Sequence, residues 1–197
     1  MRIGRAREGR GGARLVAATP RTVERLRALG YEVVVEHDAG AGATFSDAAY
    51  EAAGAAVVDA ATAWGADVVT AVNAPTDAQV ALLRPGATLV AMLGPANDPD
   101  LVRRLADHGV TALALDAVPR ISRAQALDVL STLSNVAGYR AVVEAAAEYG
   151  GMFAGQVTAA GKTPPAKVVV IGGGVAGHRA VGAGEGLAAA GPAGLGR

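Results

Sequence analysis

Residues 168–177 read Val-Val-Val-Ile-Gly-Gly-Gly-Val-Ala-Gly, a run of β-branched residues that leads directly into a Gly-x-Gly-x-x-Gly motif. The apolar run predicts a buried strand, and the motif predicts a tight turn from that strand into a helix. In a dinucleotide-binding unit, the first glycine permits the turn, the second lets a pyrophosphate approach the backbone, and the third lets helix and strand pack closely. The N-terminus of the helix then holds the phosphate charge. The sequence therefore predicts that the cofactor-binding residues are Gly172, Gly174, Val175, Ala176 and Gly177.

The segment after Gly177 departs from such a unit. A dinucleotide-binding domain needs a second strand with a carboxylate about 20 residues further on, which binds the ribose hydroxyls. Counting from Gly177, that position falls on Arg197. The intervening Gly182, Gly184 and Gly186 each cost about 1 kcal/mol relative to alanine in a helix, so we expect the helix after the turn not to persist in isolation. Our hypothesis is that the chain is truncated or frame-shifted after about residue 177.

Strand and helix patterns alternate before this motif. Short apolar runs predict strands over 32–36, 66–72, 87–93 and 110–115. Helices are predicted to begin after the capping residues Thr19, Ser46, Thr76 and Asp98. This alternation is typical of a parallel sheet covered by helices on both faces, so the predicted class is α/β with a doubly wound sheet of the Rossmann or flavodoxin type. The arginine- and glycine-rich N-terminus predicts a poorly formed first strand.

A long helical stripe follows the predicted sheet. Apolar residues recur at helical spacing from Leu127 to Ala145 and continue toward Tyr149, with Gly138 as a point where another helix could pack closely. We therefore divide the chain into an α/β domain over 1–118, a loop, connecting helix and linker over 119–166, and the incomplete start of a Rossmann domain over 167–197.

Composition excludes several classes of function. The 197 residues contain 18 Lys plus Arg and 18 Asp plus Glu, which gives no electrostatic argument for nucleic acid binding. Zero cysteines exclude disulfides and thiolate metal sites. No apolar run approaches the roughly 18–20 residues of a membrane span. His37, His108 and His178 are not paired at metal-ligand spacing, so no metal site is predicted. Three aspartates, Asp59, Asp67 and Asp116, flank strands and are interpreted as solvated ends.

Three stretches of the chain carry a specific resemblance. They are Leu115-Asp-Ala-Val-Pro-Arg-Ile-Ser-Arg-Ala-Gln-Ala-Leu-Asp128, Ser134-Asn-Val-Ala-Gly-Tyr-Arg140 and Gly155-Gln-Val-Thr-Ala-Ala-Gly-Lys-Thr-Pro-Pro-Ala-Lys-Val168. Together they resemble the alpha subunit of proton-translocating NAD(P) transhydrogenases, in the form where that subunit is a separate soluble polypeptide. The resemblance runs from Met1 to about Gly177 and lies within the alanine dehydrogenase/transhydrogenase superfamily.

The resemblance implies an activity and a set of site residues. In that family, hydride passes from NADH on this subunit to NADP on a partner subunit, and a membrane component couples the transfer to proton movement. No metal or flavin is implied, and the subunit is expected to be a cytoplasmic homodimer, peripheral at the inner face of the cell membrane through its partner subunits. The family's residues beside the nicotinamide match Arg120, Gln125, Asp128 and Ser131.

Each of these four residues also has a structural interpretation. Ser122 followed by Gln125 matches a capping box, which would make Gln125 a helix-start residue. Asp128 could favour the helix dipole in a first turn. Arg120 could be an exposed turn residue and Ser131 a solvated helix residue.

Two further functions stay open as alternatives. Alanine dehydrogenase resembles the chain over the same first domain, but its pattern places an arginine, a lysine and a histidine where this chain has about Leu15, Asn73 and Gly94-Pro95. The other alternative is a non-catalytic remnant or dimerisation module of the transhydrogenase subunit.

Overall fold

The structure, a computed structural model, describes residues 1–9 and 14–187. The chain forms two compact units, Met1–Leu127 and Asp128–Arg197. The first unit holds the α/β sheet, and the second holds the long helix and the glycine motif.

The sheet of the first unit contains six strands in the order β3-β2-β1-β4-β5-β6. All neighbouring strands pair in parallel. In this order the chain runs outward in one direction from β1 to β3 and in the other from β4 to β6, which confirms the doubly wound α/β class. The strands are β1 (Arg2–Arg5), β2 (Glu32–Glu36), β3 (Ala56–Val58), β4 (Val68–Thr70), β5 (Thr88–Ala91) and β6 (Thr111–Ala114).

Five α-helices connect these strands, and a capping side chain fixes where each one begins. Each cap accepts a hydrogen bond from the backbone N–H three residues later, which satisfies one of the free donors of the first turn. At Thr76 the cap is reciprocal, because the side chain of Gln79 also accepts from the Thr76 backbone N–H. The helices are α1 (Pro20–Ala28, cap Thr19), α2 (Asp47–Ala52, cap Ser46), α3 (Ala60–Trp64, cap Asp59), α4 (Asp77–Val80, cap Thr76) and α5 (Pro99–Asp107, cap Asp98).

The prediction of a poorly formed first strand is wrong. β1 lies in the middle of the sheet and pairs with both β2 and β4. Ile3 is buried, and Gly4 lies so close to α3 that an added Cβ would stand 1.9 Å from the carbonyl oxygen of Ala63. The short strand therefore forms because its neighbours supply the ladder on both edges and because glycine admits a helix against its face.

Two apolar clusters of buried side chains form the core of this unit. The larger includes Trp64, Leu89, Leu101 and Leu105. The other cluster packs α1 and α2 against the sheet and contains Val23, Val33, Val35, Tyr50 and small residues.

Arg5 is a buried cation at the carboxyl end of the central strand. Its side chain is 0% exposed, and its three guanidinium nitrogens lack a hydrogen-bond partner within the described part of the chain. The guanidinium carbon lies 5.6 Å from the ring centroid of Tyr50, a cation–π contact. Burial lowers the pKa of Arg5, against the opposing influence of Tyr50, Glu8 and Glu36.

Up to residue 187, where the described part of the second unit ends, this unit contains two helices and one hairpin. They are α6 (Val129–Glu148), the antiparallel strands β7 (Gln156–Thr158) and β8 (Gly161–Thr163), and α7 (Val175–Gly186). The hairpin lies in the segment that the sequence predicts as a linker.

The prediction of a buried strand in this unit is wrong. The run 168–171 is not a buried strand, since Val169 is 71% and Ile171 91% exposed. A strand of that kind needs neighbours in a sheet, and β7 and β8 are the two strands that the structure describes in this unit. The residues after Gly177 are helical as part of α7, which is not isolated: it packs on α6 and buries Ala180 and Gly184.

Candidate functional site

The glycine motif forms a turn that leads into α7. The three glycines of the motif lie in different environments. Gly172 has φ +110°, a backbone conformation that residues with side chains rarely adopt. Gly174 is the N-cap of α7, with open space where a Cβ would be. A Cβ on Gly177 would stand 1.9 Å from the carbonyl oxygen of Gly172. The turn is therefore tight at its first glycine, open at its second and closely packed at its third.

The N-terminus of α7 leaves backbone donors available to a ligand. Gly174 provides no side-chain cap, so the N–H groups of the first turn lack the partner that Ser, Thr or Asp supplies elsewhere in this chain. The helix has twelve residues, and its dipole favours an anion at this end. Open space at Gly174 and uncapped donors are the features that a pyrophosphate needs.

Gly138 holds the turn against the long helix. A Cβ on Gly138 would stand 2.1 Å from the carbonyl oxygen of Ala176, so the backbones of α6 and α7 are in close contact. The position of the glycine turn is therefore set by a residue of α6 that lies far earlier in the sequence.

Asp128 and Ser131 form one hydrogen-bonded unit at the start of α6. The Asp128 carboxylate accepts from the Ser131 backbone N–H at 2.9 Å and from the Ser131 hydroxyl at 2.6 Å. Asp128 is the N-cap of α6, so its carboxylate also has a structural role: it accepts from an N–H of the first turn of the helix. Both side chains are half-buried, which leaves part of each group accessible.

Arg120 and Gln125 belong to the first unit. Both are exposed, and Gln125 lies in a 3-10 helix over Ser122–Leu127. The capping-box interpretation of Ser122 and Gln125 does not hold, since α6 begins only after Asp128. The structure thus places Asp128 and Ser131 in direct contact and groups the glycine-turn residues at the start of α7. Arg120 and Gln125 lie in the first unit, where their side chains are exposed.

Glu8 is a half-buried carboxylate that links two chain segments and that sequence reasoning missed. Its carboxylate accepts from the backbone N–H of Val72 at 2.7 Å and from the backbone and side-chain N–H groups of Asn73 at 3.0 and 2.9 Å. These groups follow β1 and β4, the strands between which the strand order reverses. The sequence signal that could have indicated this contact is an acidic residue shortly after a strand.

Asp116 also does more than end a strand in solvent. Its carboxylate accepts from the N–H of Leu93 at 2.9 Å and of Gly94 at 2.7 Å. It thereby ties the segments that follow β5 and β6. The interpretation of Asp116 as a solvated end is wrong.

An apolar groove runs beside the extended segment 167–171 in the second unit. It has a volume of about 460 Å³ and is lined by residues of α6, by the segment itself and by Tyr149, Phe153 and Ala166. The groove and the exposed Ile171 place apolar surface directly before the glycine turn.

The strand order of the first unit and the glycine turn of the second define an α/β protein of the nucleotide-binding class. Residues 5–137 match the family model for the alanine dehydrogenase/PNT N-terminal domain, and residues 141–191 match the model for the alanine dehydrogenase/PNT C-terminal domain. The chain belongs to the alanine dehydrogenase/PNT family, a family of oxidoreductases that act with nicotinamide nucleotides.

The relatives divide between the two names of that family. The chain is 52% identical over 189 residues to the NAD(P) transhydrogenase subunit alpha of Haemophilus influenzae, covering 96% of this chain and 37% of the relative. It is 35% identical over 198 residues to the alanine dehydrogenase of Bacillus subtilis, covering 96% of this chain and 50% of the relative. The transhydrogenase structure from Sinorhizobium meliloti superposes with a TM-score of 0.94 at 39% identity, covering 98% of this chain and 58% of that one. The chain thus spans between about a third and three fifths of the length of these proteins.

Across residues 1–9 and 14–187, no helix is long and apolar enough to cross a membrane.

Proposed function

We propose that this chain supplies the NAD-binding part of an NAD(P) transhydrogenase alpha subunit, from which hydride passes from NADH to NADP on a partner subunit. The observation that carries the proposal is the glycine turn: tight at Gly172, open at Gly174 and packed at Gly177. Its geometry supports a pyrophosphate site, and the higher identity to transhydrogenase relatives supports this reaction over the alternative.

The phosphate end of the site consists of backbone groups. The uncapped N–H groups at the start of α7 would donate to the pyrophosphate oxygens, and the absence of a Cβ at Gly174 would let them approach. A ribose-binding carboxylate, by contrast, would fall at about Arg197, which lies outside the described residues.

The nicotinamide end is proposed to use Arg120, Gln125, Asp128 and Ser131. When bound, NADH supplies the hydride. Asp128 and Ser131 form a rigid pair, because one carboxylate accepts from both the hydroxyl and the backbone N–H of the serine. Such a pair can orient a carboxamide without taking up a proton, and Arg120 and Gln125 add a cation and an amide for the same purpose.

The alanine dehydrogenase alternative has less support. An amino-acid dehydrogenase must bind a substrate carboxylate and exchange protons with a keto acid. The positions that carry an arginine, a lysine and a histidine in that pattern hold about Leu15, Asn73 and Gly94-Pro95 here. Asn73 instead donates to the Glu8 carboxylate and is committed to a structural contact.

The partners follow from the proposed reaction. We propose an NADP-binding subunit and a membrane subunit that moves protons, a homodimeric arrangement of this chain, and a peripheral position at the inner face of the cell membrane. The word subunit in the names of the transhydrogenase relatives supports a multi-subunit complex in general.

The experiment is a hydride-transfer assay with the complete complex. Membranes containing the NADP-binding and membrane subunits are mixed with this chain, NADPH and an NAD analogue whose reduced form absorbs at a distinct wavelength. Asp128→Asn is the informative variant, because asparagine caps a helix as well as aspartate does but removes the charge. We expect a fall in turnover of tenfold or more with unchanged thermal stability, and the Asp100→Asn variant serves as the matched control.

Two results would contradict the proposal. Absence of transfer at any chain concentration, with no binding of NADH, would favour the non-catalytic remnant or dimerisation module. Oxidation of NADH with a keto acid and ammonium, without partner subunits, would favour the alanine dehydrogenase alternative.

A further inference from the structure

The face of α6 that contacts α7 changes character at Gly138. After this residue the face is apolar, since Val142 lines the groove beside the segment 167–171. Before it the same face is polar. Ser131, Ser134 and Asn135 lie seven, four and three residues before Gly138, a spacing that places them on one side of a helix. The change from polar to apolar therefore falls where the glycine turn meets α6.

The polar half of α6 extends beyond the start of α7. Gly138 touches Ala176 in the first turn of α7, and the apolar groove brings Val142 of α6 together with Ala180, one turn further along α7. The two helices therefore run in the same general direction from their contact. The residues of α6 before Gly138 consequently lie in front of the N-terminus of α7, where the proposed function puts the pyrophosphate.

The spacing of residues along α6 matches the order of groups in NADH. Each residue advances a helix by about 1.5 Å, so Asn135 lies about 4.5 Å before Gly138 along the axis, and Ser131 lies about 6 Å before Asn135. In NADH, a ribose joins the pyrophosphate to the nicotinamide. A dinucleotide with its pyrophosphate at the glycine turn and its nicotinamide at the Asp128–Ser131 pair would therefore have this ribose beside Asn135.

The side chain of Asn135 has the chemistry that a ribose requires. It is exposed, and within the described part of the chain its amide forms no hydrogen bond. A carboxamide both donates and accepts hydrogen bonds, and so does each of the two neighbouring hydroxyls of a ribose, so the two groups are complementary. Ser134, the other polar residue at this level of the helix, is half-buried and offers a single hydroxyl on a shorter side chain. Asn135 is therefore the better matched of the two.

We propose that Asn135 binds the hydroxyls of the ribose on the nicotinamide side of NADH, midway between the glycine turn and the Asp128–Ser131 pair. The inference rests on the proposed nucleotide function and adds a contact between its two ends. Such a contact fixes the distance between the pyrophosphate and the nicotinamide, and so helps to hold the ring in one position for hydride transfer. The alternative role of Asn135 is that of a solvated residue on the helix surface.

Three ligands of increasing length locate the contact. ADP carries a pyrophosphate but ends before this ribose, ADP-ribose includes the ribose, and NADH adds the nicotinamide. Calorimetric titration of the full chain measures the three dissociation constants. We expect Asn135→Ala to leave the affinity for ADP unchanged and to weaken the binding of ADP-ribose and NADH by about threefold to tenfold, the range for the loss of one hydrogen-bonding side chain.

Two further variants separate this contact from its surroundings. Val136→Ala truncates an exposed side chain on nearly the opposite side of α6 from Gly138, and it should leave all three affinities unchanged. Ser131→Ala removes a group at the nicotinamide end, so it should weaken the binding of NADH but not that of ADP-ribose or ADP. Alanine favours a helix more than asparagine does, so a loss of affinity in Asn135→Ala would not come from unfolding of α6.

The failure of this inference differs from the failure of the proposed function. If the wild type binds NADH and Asn135→Ala binds ADP-ribose and NADH as tightly as the wild type does, Asn135 is a solvated surface residue and the inference is overturned. An equal loss of affinity for all three ligands would also overturn it, because the effect would not depend on the ribose. Absence of NADH binding by the wild type would overturn the proposed function, and this inference with it.

Discussion

Gly138 of α6 lies so close to α7 that a Cβ added to it would stand 2.1 Å from the carbonyl oxygen of Ala176. Two helix backbones can approach this closely only where one of them has no side chain. We expect Gly138→Ala to lower the free energy of unfolding by about 1–3 kcal/mol, because the overpacked contact must separate. Helix propensity alone would act in the opposite direction by about 1 kcal/mol.

A chemical denaturation series followed by circular dichroism checks this prediction. Gly182→Ala is the matched control, since Gly182 is exposed in α7 with open space around its α-carbon. That control should gain up to about 1 kcal/mol. A gain of similar size in Gly138→Ala would show that the helices are not in contact at this point.

Arg5→Met should stabilise the first unit. The guanidinium is buried beside Tyr50 without a hydrogen-bond partner in the described structure, and burial lowers its pKa, which means that the fold disfavours the charge. Methionine keeps an unbranched side chain and removes the desolvated charge. We expect the free energy of unfolding to rise by about 1–3 kcal/mol, after the lost cation–π contact is included.

Fluorescence of Trp64, which is buried in the same unit, reports this transition. Arg7→Met, at an exposed position, should change stability by no more than about 0.5 kcal/mol. A marked loss of stability in Arg5→Met would mean that the guanidinium contributes favourably to the core.

Acid should destabilise the first unit through Asp67. Hydrogen bonds from the Arg2 backbone N–H and from the Arg84 side chain lower the pKa of Asp67 below its ordinary value near 3.8. A carboxyl with a lowered pKa contributes stability above its unfolded-state pKa and loses it as the pH falls through the folded-state pKa. Stability should therefore decline over about pH 5 to pH 2.

The urea midpoint measured across that pH range tests this assignment. Asp67→Asn should flatten the decline and Asp100→Asn should not. Part of the slope should survive in Asp67→Asn, because the Thr62 hydrogen bonds also lower the pKa of Asp59. An unchanged slope in Asp67→Asn would place the acid sensitivity elsewhere.

The sequence alone predicts an element correctly where a local signal lies at the position at which that element forms. Thr19-Pro20 and Asp98-Pro99 predict helix starts because a cap and a first-turn proline act within a few residues, and α1 and α5 begin there. Alternation of strands and helices likewise predicts the doubly wound class. Ala56–Val58 and Ala60–Trp64 were missed because a three-residue strand and a five-residue helix are too short to show a period.

Other features depend on partners that are distant in the sequence. The apolar run 168–171 has the composition of a buried strand, but burial requires neighbouring strands to pair with it. The glycines of α7 weaken an isolated helix, yet contact with α6 stabilises it. Glu8 and Asp116 bind backbone groups more than 20 residues away, which no local pattern reveals.

The measurement that tests the central claim most directly is calorimetric titration of the chain with NADH, compared among wild type, Gly174→Ala and Gly177→Ala. A Cβ meets open space at Gly174 but a carbonyl oxygen at 1.9 Å at Gly177. The account predicts saturable NADH binding by the wild type, loss of binding without loss of helix in Gly174→Ala, and loss of both in Gly177→Ala. Binding of equal affinity in wild type and Gly174→Ala, or no binding by the wild type, would contradict it.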